Sequence, residues 1–234
     1  DIARAFDSVS WPFLLETLQH LGFGQRWRDW ISILLSTAST RVMINGHPGP
    51  PIDHDCGLRQ GNPVSPMLFT IVIDVLNSML IRAVELGLIQ WLTTRHAASS
   101  ISLYADDIVV FCRPDHHDIS AVRELLRVFG MVSRLRTNYN KCSATPIQCN
   151  DEDIATIAAE MQCPVKHFPI QYLGLPLSVR KPSTTSLMPI THKLERKLST
   201  WRASLLSRGD RLALVHQVLC AIPTHFLTAI AFNQ

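Results

Sequence analysis

Ile101-Ser102-Leu103-Tyr104-Ala105-Asp106-Asp107-Ile108-Val109-Val110-Phe111 is the stretch on which the reading of this chain turns: two apolar arms flank a pair of carboxylates that a hydrophobic core excludes. The pattern predicts a hairpin. Ile101, Leu103 and Ala105 alternate with polar residues, Ile108 to Phe111 are β-branched or aromatic, and Asp-Asp tolerates the positive φ of a tight turn. Alone, this is a solvated turn, the ordinary use of adjacent aspartates. Two other features argue for chemistry at its tip: a third carboxylate, Asp1, in a second apolar segment, and the glycine- and proline-rich loop from Gly57 to Pro66 between them.

With 234 residues, 47% of them hydrophobic, the chain fills a sizeable core as one large domain or one and a half. The longest apolar stretch, Met67 to Leu80, is interrupted by Thr70, Asp74, Asn77 and Ser78, so no membrane span is expected. The six cysteines show no CxxC pair and no ordered spacing with the ten histidines, which fits reduced intracellular thiols rather than a disulfide frame or a zinc site. The chain opens at Asp1 with neither methionine nor signal peptide and reads as a fragment of a longer product. Its net charge of +3 is unevenly spread: Arg180 to Arg211 holds eight Lys or Arg against Glu195 and Asp210. A basic end beside an acidic remainder suggests a polyanion held at one end and metal-binding carboxylates at the other.

In chain order, Asp1 to Asp7 reads as the end of a strand and a turn, and Ser10 as the cap of a helix bearing Phe13, Leu14, Leu18 and Leu21. Gln25 to Ser36 reads as a second helix with Trp27, Trp30, Ile31, Leu34 and Leu35 as its core face. Arg41 to Gly46 reads as a strand entering an Asn-Gly turn, with Ile52 to Cys56 as the return strand. Ser65-Pro66 is a helix start, and the helix runs to Leu86. A further helix ends near Gly130, Asn138 to Ile147 is a strand, Asp151 to Met161 a helix and Phe168 to Leu177 a strand. From Ser183 the pattern becomes helix pairs with Lys193, Lys197 and Arg202 on the polar side. The fold class is therefore α+β.

Asp1 and Asp106, converging from different strands, would repel without a cation between them. Magnesium suits hard oxygen ligands and keeps positions for substrate phosphates. Two such ions roughly 3.5–4 Å apart stabilise both the attacking and the leaving oxygen of an in-line phosphoryl transfer.

DIARAFDSV from Asp1, GLRQGNPVSP from Gly57, YADDIVVF from Tyr104, NYNKC from Asn138 and YLGLPL from Tyr172 together make the chain resemble the reverse transcriptases of LINE-type (non-LTR) retrotransposons, the plant kind especially. The resemblance implies a polymerase palm, a small antiparallel sheet backed by helices, over residues 1–178 with partial fingers elements, and a basic helical thumb over 179–234. It implies that Asp1 and Asp106 bind two Mg2+ ions, with Mn2+ as a substitute, together with the Ile2 carbonyl and, less necessarily, Asp107. Phe6 matches the gate against a ribose 2′-hydroxyl. Arg59, Gln60 and Gly61 match the loop over the incoming nucleotide, Lys141 a lysine near its triphosphate, and Tyr172, Leu173 and Gly174 the hairpin that grips the primer end. Lys193, Lys197 and Arg202 would then hold an RNA template and DNA primer, and deoxynucleoside triphosphates would be the substrate. The setting implied is intracellular, nuclear if the gene is expressed.

The chain departs from the family pattern at Arg4, Asn62 and Cys142, none of them a proposed metal ligand. Fingers upstream of Asp1 are missing from the sequence, so the chain alone is expected to polymerise weakly or not at all. The rival reading is a decayed, inactive remnant that at most binds nucleic acid. A second rival, an RNA polymerase of the same palm, is disfavoured by Phe6.

Overall fold

The structure, a computed structural model, describes residues 1–90, 101–179, 188, 191–192, 194–196, 206–220 and 224. The chain divides into two compact units, Asp1–Lys166 and His167–Gln234.

In the first unit, Arg4 adopts a left-handed φ of 50° and bends the chain into one helical turn, α1 (Ala5–Ser8). Helix α2 (Trp11–His20) follows. Ser10 stands at its N-cap, yet the side chain caps nothing; its N–H donates to the Ser133 carbonyl at 2.9 Å instead. Helix α3 (Gln25–Ser36) buries Ile31 and Leu35, but Trp30, expected in the core, is 56% exposed under the Arg26 guanidinium, 4.9 Å from its ring centroid. The apolar stripe of α3 is wider than the face α2 covers.

Strands β1 (Ser39–Ile44) and β2 (His47–Asp53) form a hairpin whose return arm begins at His47, directly after Asn45-Gly46 and five residues before the expected Ile52, and ends at Asp53 rather than Cys56. Both turn residues have positive φ, 49° and 83°, which matches the twist of the flanking strands and closes the hairpin in two residues. Pro48, Pro50 and Pro51 are tolerated because a two-stranded ladder leaves one side of each strand unpaired.

Helix α4 (Ser65–Glu85) buries Leu68, Phe69, Val72, Ile73, Leu76, Leu80 and Ala83, the three- and four-residue steps of one face. Its N-cap is Val64 rather than Ser65, and the Asn62 carboxamide oxygen accepts the Val64 N–H at 3.0 Å. By length and mean hydropathy (1.8) α4 would suffice to cross a bilayer, but α2 and helix α5 (His116–Ser133) pack on it. Helix α5 runs through Gly130, its expected end. A Cβ there would lie 3.2 Å from the Leu135 carbonyl oxygen, so the glycine lets the returning chain cross close to the helix.

Strands β3 (Ile101–Tyr104) and β4 (Asp107–Val110) pair with Tyr104 opposite Asp107, leaving Ala105 and Asp106 as the turn. The left-handed residue is Ala105 (φ 52°), not either aspartate. Asn138 to Ile147 forms no strand. Turn formers dominate it, and a single parallel bridge joins Ala144 to Val165. Helix α6 (Asp151–Met161) begins at a reciprocal Asn150–Asp153 capping box. The described strands thus make three two-stranded antiparallel ladders, not one small sheet, because Asp1 to Ala3 directs its backbone bonds to Arg136 and Asn138.

In the second unit the expected strand is a hairpin, β5 (Ile170–Tyr172) and β6 (Leu175–Leu177), turned by Leu173 and Gly174 at φ 52° and 76°. Helix α7 (Arg208–Leu214) starts at a Ser207–Asp210 capping box and runs into a π-helical turn, Val215–Leu219. Most of the helix-pair region expected from Ser183 to Leu205 lies outside the described residues.

Candidate active site

The segment Asp1–Ala3 is held by main-chain bonds on one edge: the Asn138 N–H donates to the Asp1 carbonyl at 3.0 Å and the Ala3 N–H to the Arg136 carbonyl at 2.9 Å. These two bonds bracket Ile2 and Thr137 as a non-hydrogen-bonded antiparallel pair, so the Ile2 carbonyl points away from that edge. The Ile2 side chain is anchored in the core. The same turn presents Lys141, whose Nζ lies 3.9 Å from Asp1 Oδ2, so two predicted site residues 140 positions apart are brought together. Nothing in the sequence around Arg136 signals a pairing partner for Asp1, since no alternation marks it.

Phe6 is half-buried and lies flat on Phe69 of α4, centroids 4.5 Å apart and planes 15° from parallel. Its carbonyl accepts the Leu58 N–H at 2.6 Å, the Gly57 N–H donates to Val9 at 2.8 Å, and the Trp11 indole N–H donates to the Gly57 carbonyl at 2.7 Å. Buried Leu58 pins the loop, while Arg59, Gln60 and Gly61 are exposed beyond it. The loop and the proposed gate thus form one backbone-bonded unit. Trp11, Leu58 and Phe69, which the sequence did not single out, hold this unit together; a tryptophan beside a helix start gives no hint of its long-range partner.

Gly57 is where this unit is tightest. Its φ is +86°, and an added Cβ would sit 2.6 Å from the Asp7 carbonyl oxygen. Gly57→Ala is expected to destabilise the protein by more than about 2 kcal/mol, combining left-handed strain with a backbone clash. A lowered midpoint in urea denaturation followed by tryptophan fluorescence checks this, and an unchanged midpoint contradicts it.

Asp106 and Asp107 are exposed at the β3–β4 tip, while Ile101, Leu103, Ile108 and Val110 pack against the core that also buries Ile2. Strand β3 contacts α4, the helix on which Phe6 rests. Among the described residues, the group of three with ligand atoms all within 4.8 Å is Asp115, His117 and Asp118, not the three predicted carboxylates. In that group the buried Asp118 carboxylate already accepts the Gln90 N–H at 3.1 Å. A cavity of about 310 Å³ lined by Leu126, Arg127, Gly130, Met131, Arg136, Thr137 and Tyr139 contains no predicted site residue. Tyr172 is half-buried in β5, with Leu173 and Gly174 in the following turn of the second unit; Lys193, Lys197 and Arg202 lie outside the described residues.

An acidic hairpin tip on a helix-backed core, with a glycine loop bonded to an aromatic side chain, is matched by the profile described as "Reverse transcriptase (RNA-dependent DNA polymerase)" over residues 1–177. The class is that of reverse transcriptase domains. The chain belongs to the reverse transcriptase family, and its relatives agree with the LINE-type, non-LTR resemblance. It is 25% identical over 94% of its length to the "Transposon TX1 uncharacterized 149 kDa protein" of Xenopus laevis. It is 37% identical over 32% of its length to the "Retrovirus-related Pol polyprotein from type-1 retrotransposable element R2" of Popillia japonica. To the corresponding polyprotein of element R2DM from Drosophila melanogaster it is 25% identical over 67%. The chain spans 17%, 12% and 14% of those relatives' lengths.

Proposed function

We propose that residues 1–178 are the palm of a two-metal polymerase, with 179–234 as its basic thumb, adding deoxynucleotides to a DNA primer on an RNA template. The observation that carries this is the joining of Asp1 to Lys141 and of Phe6 to the Gly57–Gly61 loop in one core that also seats the Asp106 hairpin. The plant character of the element rests on the sequence resemblance.

The donor set fits hard divalent cations. Asp1, Asp106 and the outward Ile2 carbonyl offer only oxygen, and the Asp1 carboxylate already attracts a cationic group in Lys141. Divalent ions held there would stabilise the charge on both the attacking and the leaving oxygen. The protein's own groups do the rest by position. The primer 3′-hydroxyl, giving up its proton to solvent, attacks the α-phosphorus in line, the bond to pyrophosphate breaks, and Lys141 neutralises the departing oxygens. Phe6, backed by the ring of Phe69 and so unable to retreat, excludes a ribose 2′-hydroxyl by volume.

Phe6→Val is therefore expected to narrow the preference for deoxy- over ribonucleotide by about 10–200-fold, the range a lost hydrophobic contact yields. Single-turnover extension of a labelled DNA primer on an RNA template, run with each nucleotide class, measures it. An unchanged ratio would assign Phe6 to the core alone. If a double Asp1→Ala, Asp106→Ala change leaves every nucleic-acid-dependent activity intact, the reading fails and the inactive remnant stands.

A further inference from the structure

We propose that Ser133 is a positioning residue for Asp1: its buried hydroxyl fixes the bend by which the chain leaves α5 and so aims the backbone edge that holds Asp1 to Ala3. The inference rests on the polymerase reading above only where it concerns a cation at Asp1.

Ser133 is the last residue of α5 and is completely buried, an uncommon place for a serine. Its hydroxyl is used twice. Oγ donates to the Phe129 carbonyl at 2.6 Å, one turn back, and accepts the Leu135 N–H at 3.1 Å, two residues on. Between Ser133 and Leu135, Arg134 takes a left-handed φ of 64°, a costly conformation for a residue with a Cβ. The bond from Leu135 spans that bend and holds it, while the Leu135 side chain is seated in the core. The Arg134–Asp55 ion pair, at 3.5 Å and exposed on both sides, contributes little to the same bend.

The residues after the bend are the support of Asp1. The Arg136 carbonyl accepts the Ala3 N–H and the Asn138 N–H donates to the Asp1 carbonyl. Ile2 and Thr137 pair as an isolated bridge, so no longer ladder sets the register of this edge. Its direction is inherited from the bend. Ser133 also reaches the other half of the site: its carbonyl accepts the Ser10 N–H at 2.9 Å, and Ser10 is bridged to Cys56, the neighbour of Gly57. A serine serving its own helix needs only the Phe129 bond. The bonds to Leu135 and Ser10 lead out of the helix, toward the Asp1 edge and the glycine loop.

Ser133→Ala keeps the packing volume and removes the acceptor, leaving the buried Leu135 N–H without a partner. The test uses the whole chain, with native-state hydrogen exchange read at single amides and Mn2+ titration followed by electron paramagnetic resonance. Exchange at Ala3 and Asn138 is expected to quicken by about 5- to 150-fold in Ser133→Ala, while Val72 and Leu76 in α4 exchange as before. Mn2+ binding is expected to weaken about 10- to 100-fold, the effect of losing a group that orients a metal ligand. Ser133→Thr, which keeps the hydroxyl, is expected to restore both. Equal acceleration at all four amides would make Ser133 a residue of general stability and overturn the proposal, as would unchanged exchange at Ala3 and Asn138 or a threonine variant that behaves like the alanine one. The exchange measurement uses neither metal nor nucleic acid: a wild-type chain that binds no Mn2+ counts against the polymerase reading, and the bend is then decided by exchange alone.

Discussion

Asp106→Asn is expected to abolish whatever weak primer extension the chain supports, a loss of up to about 10³-fold, while leaving the fold intact. Asp106 is exposed at the tip of a hairpin, and the arms that hold the hairpin to the core are Ile101, Leu103, Ile108 and Val110. Its removal therefore costs charge at the reacting phosphate rather than stability. Ion-mediated stabilisation of a transferring phosphoryl group is worth several kcal/mol, and each 1.36 kcal/mol is tenfold in rate. Asp107 differs. It is the first residue of β4, paired with Tyr104, whereas Asp106 belongs to the turn, so the two carboxylates leave the backbone from different elements and are not expected to serve one ion equally. Asp107→Asn is expected to reduce extension by less than about tenfold. Single-turnover rates with unchanged circular dichroism measure both, and equal losses from the two changes would show that the tip is not asymmetric in this way.

Phe69→Ala carries the largest expected effect on stability, about 3–5 kcal/mol. Phe69 is 1% exposed in the middle of α4, and removing its ring leaves a cavity between α4 and Phe6. The stacked pair adds to the loss beyond area alone. Because the Phe6 carbonyl also receives the Leu58 N–H, the disturbance is passed to the Gly57–Gly61 loop. Equilibrium urea unfolding checks the magnitude. A loss below about 1 kcal/mol would mean that α4 relaxes to fill the gap and that Phe6 has no fixed support.

The sequence was legible where local chemistry decides structure. Gln25–Ser36 and Asp151–Met161 are helices over the spans predicted, the second because Asn150 and Asp153 cap each other within one turn. The Asp106 hairpin followed from two-residue alternation, and five ordered motifs were enough to indicate the family. What stayed hidden depends on contacts far apart in sequence. Asn138 to Ile147 lacks a strand because it pairs at one residue only, with Val165. Gly130 does not end α5, since its missing Cβ serves the approach of Leu135 and Arg136 rather than a turn. Trp30 lies on the apolar face of α3 by period, but periodicity gives the angle of a stripe and not the width of the partner that covers it. The candidate site divides likewise: Asp1, Phe6, Asp106 and Lys141 were named from motifs, whereas Trp11, Leu58 and Phe69 became visible only through their hydrogen bonds and stacking.

If Asp1 and Asp106 serve one shared cation site, Mn2+ titration followed by electron paramagnetic resonance will reveal it. The chain, Asp1→Asn, Asp106→Asn and the double variant would each be titrated in the presence of a deoxynucleoside triphosphate and an RNA–DNA primer-template. Each single change is expected to weaken Mn2+ binding by a similar factor and the double change to add little, the non-additivity of groups acting on one ligand. Single changes whose effects simply add, or that leave Mn2+ binding as it was, would contradict it.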